Sequence, residues 1–91
     1  MTEESAITAA EEAVKAYEEL VTFLVSPILG EEEFKIKARV RHSTLQIELR
    51  APSHVRGRVI GRGGRVARSL RTIIESAAIP APFSVSFDIA D

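Results

Sequence analysis

Apolar positions recur at Ile7, Ala10, Val14, Tyr17, Val21, Leu24 and Ile28. Steps of three and four place these side chains on one face of a helix. Thr2 or Ser5 is a candidate N-cap, and glutamates in the first turn suit the helix dipole. Pro27 disfavours helical geometry at Ser26, which predicts an end near Val25, and Gly30 then gives a clean stop. The half from Tyr17 onward is richly apolar and is expected to pack on a sheet. The half before it is rich in Ala and Glu and is free to project or to pair with another chain. The expected organisation is therefore an acidic helical extension over 1–16 and one domain over 17–91.

The period changes at residue 34. In FKIKARVR, Phe34, Ile36, Ala38 and Val40 face one way and Lys35, Lys37, Arg39 and Arg41 the other. His42-Ser43-Thr44 is a polar break short enough for a hairpin. Leu45, Ile47 and Leu49 then alternate with Gln46, Glu48 and Arg50, predicting an antiparallel partner strand with Glu48 opposite a cation. Ser53 is a candidate cap for a short helix over 54–60, with Val55, Val59 and Ile60 inward. A second helix over 65–78 buries Val66, Leu70, Ile73, Ile74 and Ala77. Pro80 and Pro82 make a stiff connection. Phe83, Val85, Phe87 and Ile89 then form a third strand, which a right-handed crossover sets parallel to the second. The predicted class is α+β: a mixed three-stranded sheet with three helices on one face.

Composition excludes more than it assigns. The 91 residues contain no cysteine, so disulfide frameworks and thiolate metal sites are excluded. The acidic N-terminus does not read as a secretory leader, and no run approaches the ~20 apolar residues of a membrane span. A cytoplasmic protein without membrane attachment is the expectation. The formal net charge of −1 hides a division. Residues 1–33 carry nine Glu against one Lys, a net of −8. Residues 34–79 carry eleven Lys and Arg against two Glu, a net of +9, and 80–91 add two Asp. A basic segment of this density suits a polyanion partner.

The most specific feature lies inside that segment, in Val59-Ile60-Gly61-Arg62-Gly63-Gly64-Arg65-Val66. A P-loop needs a Lys and a Ser or Thr after its last glycine, whereas Arg65-Val66 follow here. A dinucleotide fingerprint needs a glycine where Val66 stands. The pattern that fits is G-x-x-G between two helices. Such a turn lets a nucleic-acid backbone approach without interference from a Cβ, beside a helix N-terminus. Arg58, Arg62 and Arg65 are candidate phosphate contacts, with Arg68 a further one whose helix phase turns it aside. Ile60, with Val59 and Val66, is a candidate apolar floor for bases or else core. With Gly61, Gly63 and Gly64 these complete the candidate site. His42 and His54 lack a second ligand at metal spacing, and no serine has a His–Asp partner that sequence supports. No enzyme, metal, cofactor or small-molecule substrate is expected.

The segments Glu19-Leu20-Val21, Leu24 to Pro27, Ile47 to Pro52, Gly57 to Arg65, and Ala67 with Leu70 to Ile73 together resemble the KH superfamily in its type II order, α-β-β-α-α-β. More narrowly they resemble the small bacterial KhpA-like family, from about Glu19 to Ile89. The resemblance implies a non-enzymatic RNA-binding protein whose loop clamps a single strand, with a role as an RNA chaperone or post-transcriptional regulator. It also implies links to cell division and the cell wall, and a homodimer or a heterodimer with a second, larger KH-containing protein. The implied binding cleft lies between the two loop helices and the last strand, with Ile79 to Pro82 as its lip. The sequence departs from the family at Gly63, where a larger polar residue is usual and a looser loop is therefore expected. It departs again in residues 1–16, which precede the usual start. Two other readings stay open: a dimerisation module on the same scaffold, and a ribosome-associated KH factor. A scarcity of aromatic platforms, with one Tyr and four Phe at apolar-face positions, implies backbone-dominated, salt-sensitive binding.

Overall fold

The computed structural model describes residues 3–77 and 84–90, with backbone alone for residues 3–8. Thr2, the Ile7 side chain, Phe83 and the connection through Pro80 and Pro82 lie outside that description. In chain order the elements are α1 (Glu3–Leu29), β1 (Lys35–Arg41), β2 (Thr44–Arg50), α2 (Arg56–Ile60), a single 3-10 turn (Arg62–Gly64), α3 (Arg65–Ser76) and β3 (Ser84–Ile89). The sheet order is β1-β2-β3, with β1 antiparallel and β3 parallel to β2. The α+β class and the mixed three-stranded sheet are as the sequence predicts.

Strand alternation sorts the sheet into two faces. Leu45, Ile47 and Leu49 of β2 and Phe87 of β3 are buried, whereas Lys35, Lys37, Arg39 and Arg41 are exposed. The hairpin closes through the two-residue loop His42-Ser43, with Arg41 paired to Thr44. His42 takes φ 59, the left-handed conformation that such tight loops require.

Helix α1 corrects the sequence reading in three ways. Ser5 lies inside the helix and is not its cap. The buried stripe is Ala13, Tyr17, Val21, Val25 and Leu29, a strict four-residue ridge displaced from the predicted one, with Val14, Leu24 and Ile28 at its margin. The helix also continues through Pro27 to Leu29. Proline at 27 removes only the bond to the Phe23 carbonyl, and Phe23 lies on the solvent side, 76% exposed. Water can serve that carbonyl, while Val25 and Leu29 are fully buried by the continuation. The Ser26 hydroxyl donates to the Thr22 carbonyl at 2.6 Å, and Gly30, at φ 64, ends the helix by donating to the Ser26 carbonyl at 2.8 Å.

The loop helices bring further corrections. Ser53 makes no side-chain cap. Instead the Pro52 carbonyl accepts from the N–H groups of both Val55 and Arg56 at 3.0 Å, and α2 starts only at Arg56. Val55 and Val59 are buried as expected, but Ile60 is exposed. On α3, Leu70 and Ile74 are buried and Ile73 is 48% exposed. Residues 73 and 74 are about 100° apart on a helix, so burial of Ile74 turns Ile73 outward. The Tyr17 hydroxyl donates to the Ala77 carbonyl at 3.3 Å, tying α1 to the end of α3.

Leu29→Ala should cost about 2–5 kcal/mol in urea unfolding, and Ile73→Ala less than about 1 kcal/mol. A small effect at Leu29 would contradict a packed last turn. Burial raises the Tyr17 phenol above its ordinary pKa. The unfolded chain therefore releases this proton first, and stability falls as pH rises through about 10. In Tyr17→Phe that part of the alkaline loss should disappear from pH-dependent melting curves.

Candidate nucleic-acid interface

Four residues turn the chain from α2 into α3. Gly61 sits at φ 74, ψ 169, Gly63 at φ 64, ψ 18, and Gly64 at φ 76, ψ 14. An L side chain at any of these three positions is strained. At Gly61 space forbids one as well, because an added Cβ would lie 2.9 Å from the Val66 backbone nitrogen. Gly63 has nothing within 4 Å of such a position. The Gly61 N–H donates to the Gly57 carbonyl at 2.8 Å, and the Gly64 N–H to the Gly61 carbonyl at 3.1 Å. Gly63 thus occupies a left-handed position inside a hydrogen-bonded turn.

Helix α3 begins directly at this turn. Its first turn contains no acidic residue, and Gly64 supplies no side-chain cap. The positive end of the helix is left uncompensated beside the loop. Arg58, Arg62, Arg65 and Arg68 are all exposed, and none forms a salt bridge among the described residues. Arg68 is turned toward the loop, not away from it: its Nη1 donates to the Gly63 carbonyl at 2.9 Å. Ile60 is exposed at the mouth of the turn, while Val59 is core and Val66 is half-buried.

Some of what borders the loop was not readable in advance. A shallow hollow of about 560 Å³ on α3 is lined by Arg65, Arg68, Ser69, Thr72 and Ile73. On the β3 side, Arg71 Nε donates to the Phe87 carbonyl at 3.2 Å, and the Phe87 N–H donates to a Glu75 carboxylate oxygen at 2.9 Å. Arg71 also lies 3.5 Å from an Asp88 carboxylate oxygen. Two α3 side chains therefore bridge the space between helix and strand. The lip at Ile79 to Pro82 lies outside the described residues. Among the described residues no three His, Asp or Glu side chains form a metal-binding group, and no helix is long and apolar enough to cross a membrane.

Gly61→Ala should destabilise by about 2–4 kcal/mol, because it combines a forbidden conformation with a backbone clash. Gly63→Asn should cost well under about 1 kcal/mol, since asparagine tolerates the left-handed region. Chemical denaturation of the two variants checks the contrast; equal losses would contradict this turn geometry.

Comparison with known proteins agrees with the architecture. A family model described as the KH domain of KhpA/KhpB matches residues 18–89. The RNA-binding protein KhpA of Borreliella burgdorferi is 32% identical over 74 residues, covering 80% of this chain and 90% of that protein. The RNA-binding protein KhpA of Lactiplantibacillus plantarum is 34% identical over 73 residues, covering 79% of this chain and 86% of that protein. With its α-β-β-α-α-β order and a glycine turn between the paired helices, the chain belongs to the KhpA/KhpB KH-domain family.

Proposed function

We propose that this protein is a non-enzymatic, cytoplasmic RNA-binding protein that holds the backbone of a single strand at the Gly61–Gly64 turn. The observation that carries the reading is the turn itself. Three glycines at positive φ open a Cβ-free approach to the uncapped start of α3, between arginines that have no carboxylate partner among the described residues. Phosphate oxygens accept from arginine with geometry that lysine does not match, and a helix N-terminus favours the same charge. The relatives from Borreliella burgdorferi and Lactiplantibacillus plantarum are named as RNA-binding proteins, which supports RNA as the polyanion.

In this reading Arg62 and Arg65 contact phosphates on either side of the turn, and Arg58 extends the cationic track. Arg68 supports the loop through Gly63 and contributes its charge from there. Beside the loop the exposed large apolar side chains are the aliphatic Ile60 and Ile73, with no aromatic platform among the described residues, so bases gain little stacking energy. Binding then depends on the backbone and is weakly selective, which suits an RNA chaperone or a broad post-transcriptional regulator. Clamping about four nucleotides gives a salt dependence of roughly two to three in log–log slope. Association with a second KH-containing chain belongs to the same reading.

Fluorescence anisotropy with short single-stranded RNA tests the assignment. Arg62→Asp/Gly63→Asp should weaken binding at least about tenfold and reduce the salt slope. Aspartate at 63 meets no neighbour and tolerates φ 64, so the fold should survive, as a melting curve will show. Equal affinity in a folded double variant would refute the loop as the RNA contact.

A further inference from the structure

The three helices cover one face of the sheet; the other is open and wholly polar in its outward side chains. Along β1 that open face carries Lys35, Lys37, Arg39 and Arg41. The register lines up Lys37, Glu48 and Asp88 in one row across the three strands, Arg39, Gln46 and Ser86 in the next, and Arg41, Thr44 and Ser84 in a third. Charge is therefore graded across the sheet: cations fill the β1 edge, and amide and hydroxyl groups occupy much of the rest. Both carboxylates on this face are already engaged by arginines. Glu48 bonds Arg50 at 2.6 Å, and Asp88 lies 3.5 Å from Arg71, which reaches it from the helical side. The bond from Arg50, reinforced by the field of Lys37 and Arg39, keeps the Glu48 carboxyl below its ordinary pKa. The four β1 cations have no salt-bridge partner among the described residues, and Arg39 only donates to the Gln46 side chain at 3.4 Å. Lys37, Arg39, Gln46 and Arg50 line a shallow hollow of about 720 Å³, whose wall also includes the arginine-engaged carboxylates Glu48 and Asp88.

We propose that this open sheet face is a second nucleic-acid surface, which takes the phosphate backbone of RNA outside the segment held at the glycine turn. The inference rests on RNA being the ligand of the protein. Alternate residues of a strand are about 6.6 Å apart, so the β1 cations form a straight ladder roughly 20 Å long. That repeat is close to the separation of successive phosphates in an extended strand. Charged side chains also guard an edge strand against association, but an unbroken row of four cations with no salt-bridge partner among the described residues matches a polyanion as well. Protein interfaces usually centre on apolar or aromatic anchors, and the outward side chains described on this face are all polar. Phosphate contacts need only cations and hydrogen-bond donors, which it has in excess.

The test compares an RNA of about six nucleotides, enough for the glycine turn, with a single strand of roughly thirty. The triple variant Lys35→Gln/Lys37→Gln/Arg39→Gln alters only outward side chains. It should bind the short RNA like wild type. It should bind the long RNA about tenfold or more weakly at low salt, with a log–log salt slope smaller by about two. The amides of Lys37, Arg39 and Gln46 should also shift when wild type is titrated with long RNA, a readout independent of any variant. Unchanged long-RNA affinity and unshifted β1 amides would overturn the proposal. So would a triple variant that changes the sedimentation of RNA-free protein while leaving long-RNA binding intact, since the face would then dock protein. Failure of wild type to bind short RNA would count against the glycine turn alone, because the long-RNA comparison still reads the sheet face.

Discussion

Leu45, Ile47 and Leu49 have almost no accessible surface, and the strand that carries them is paired on both sides. They share one buried core with the four-residue ridge of α1, and that shared core fixes which side of the sheet is inward. Side-chain direction in a strand has a period of two, so that choice sends every outward residue of β1 and β2 to solvent at once. The helices must then share the remaining side, and α2 and α3 meet there through Val55, Val59, Leu70 and Ile74. A slip of one residue in β2 would bury Gln46 and Glu48, at a cost that unpaired polar groups make prohibitive.

Within that frame the turn at Gly61 is held from two directions. Val59 anchors the end of α2 in the core, and Leu70 anchors α3, leaving few ways to join them. The chain closes the gap by bringing Gly61 against the backbone of Val66. Loop residues that make few packing contacts of their own are thus positioned by side chains on either side that cannot move without opening a cavity. This is how a short, glycine-rich and exposed segment obtains a definite shape.

The strands were legible because alternation is a strong signal, and the parallel placement of β3 followed from the crossover. The glycine turn was legible because its residue types have few other uses. Pro27 misled because its local preference is worth less than burying Val25 and Leu29, and a local rule cannot weigh distant contacts. Ile60 and Ile73 read as core because apolar character identifies a candidate for burial but not its angle about the helix. Arg68, Arg71 and Glu75 were the least readable. Arginine and glutamate four residues apart suggest a pair along the helix. Here Arg71 and Glu75 reach across to the main chain of Phe87 instead.

Those two bonds have a consequence for colloidal behaviour. A sheet terminates at β3, and a terminal strand with idle peptide groups recruits other strands. Arg71 and Glu75 occupy the peptide groups of Phe87 from a helix that begins directly at the glycine turn. Solubility is thereby linked to the seating of α3. Any state in which that helix lifts from the sheet would also present an unpaired edge, and the protein would become adhesive at the moment its loop lost its shape.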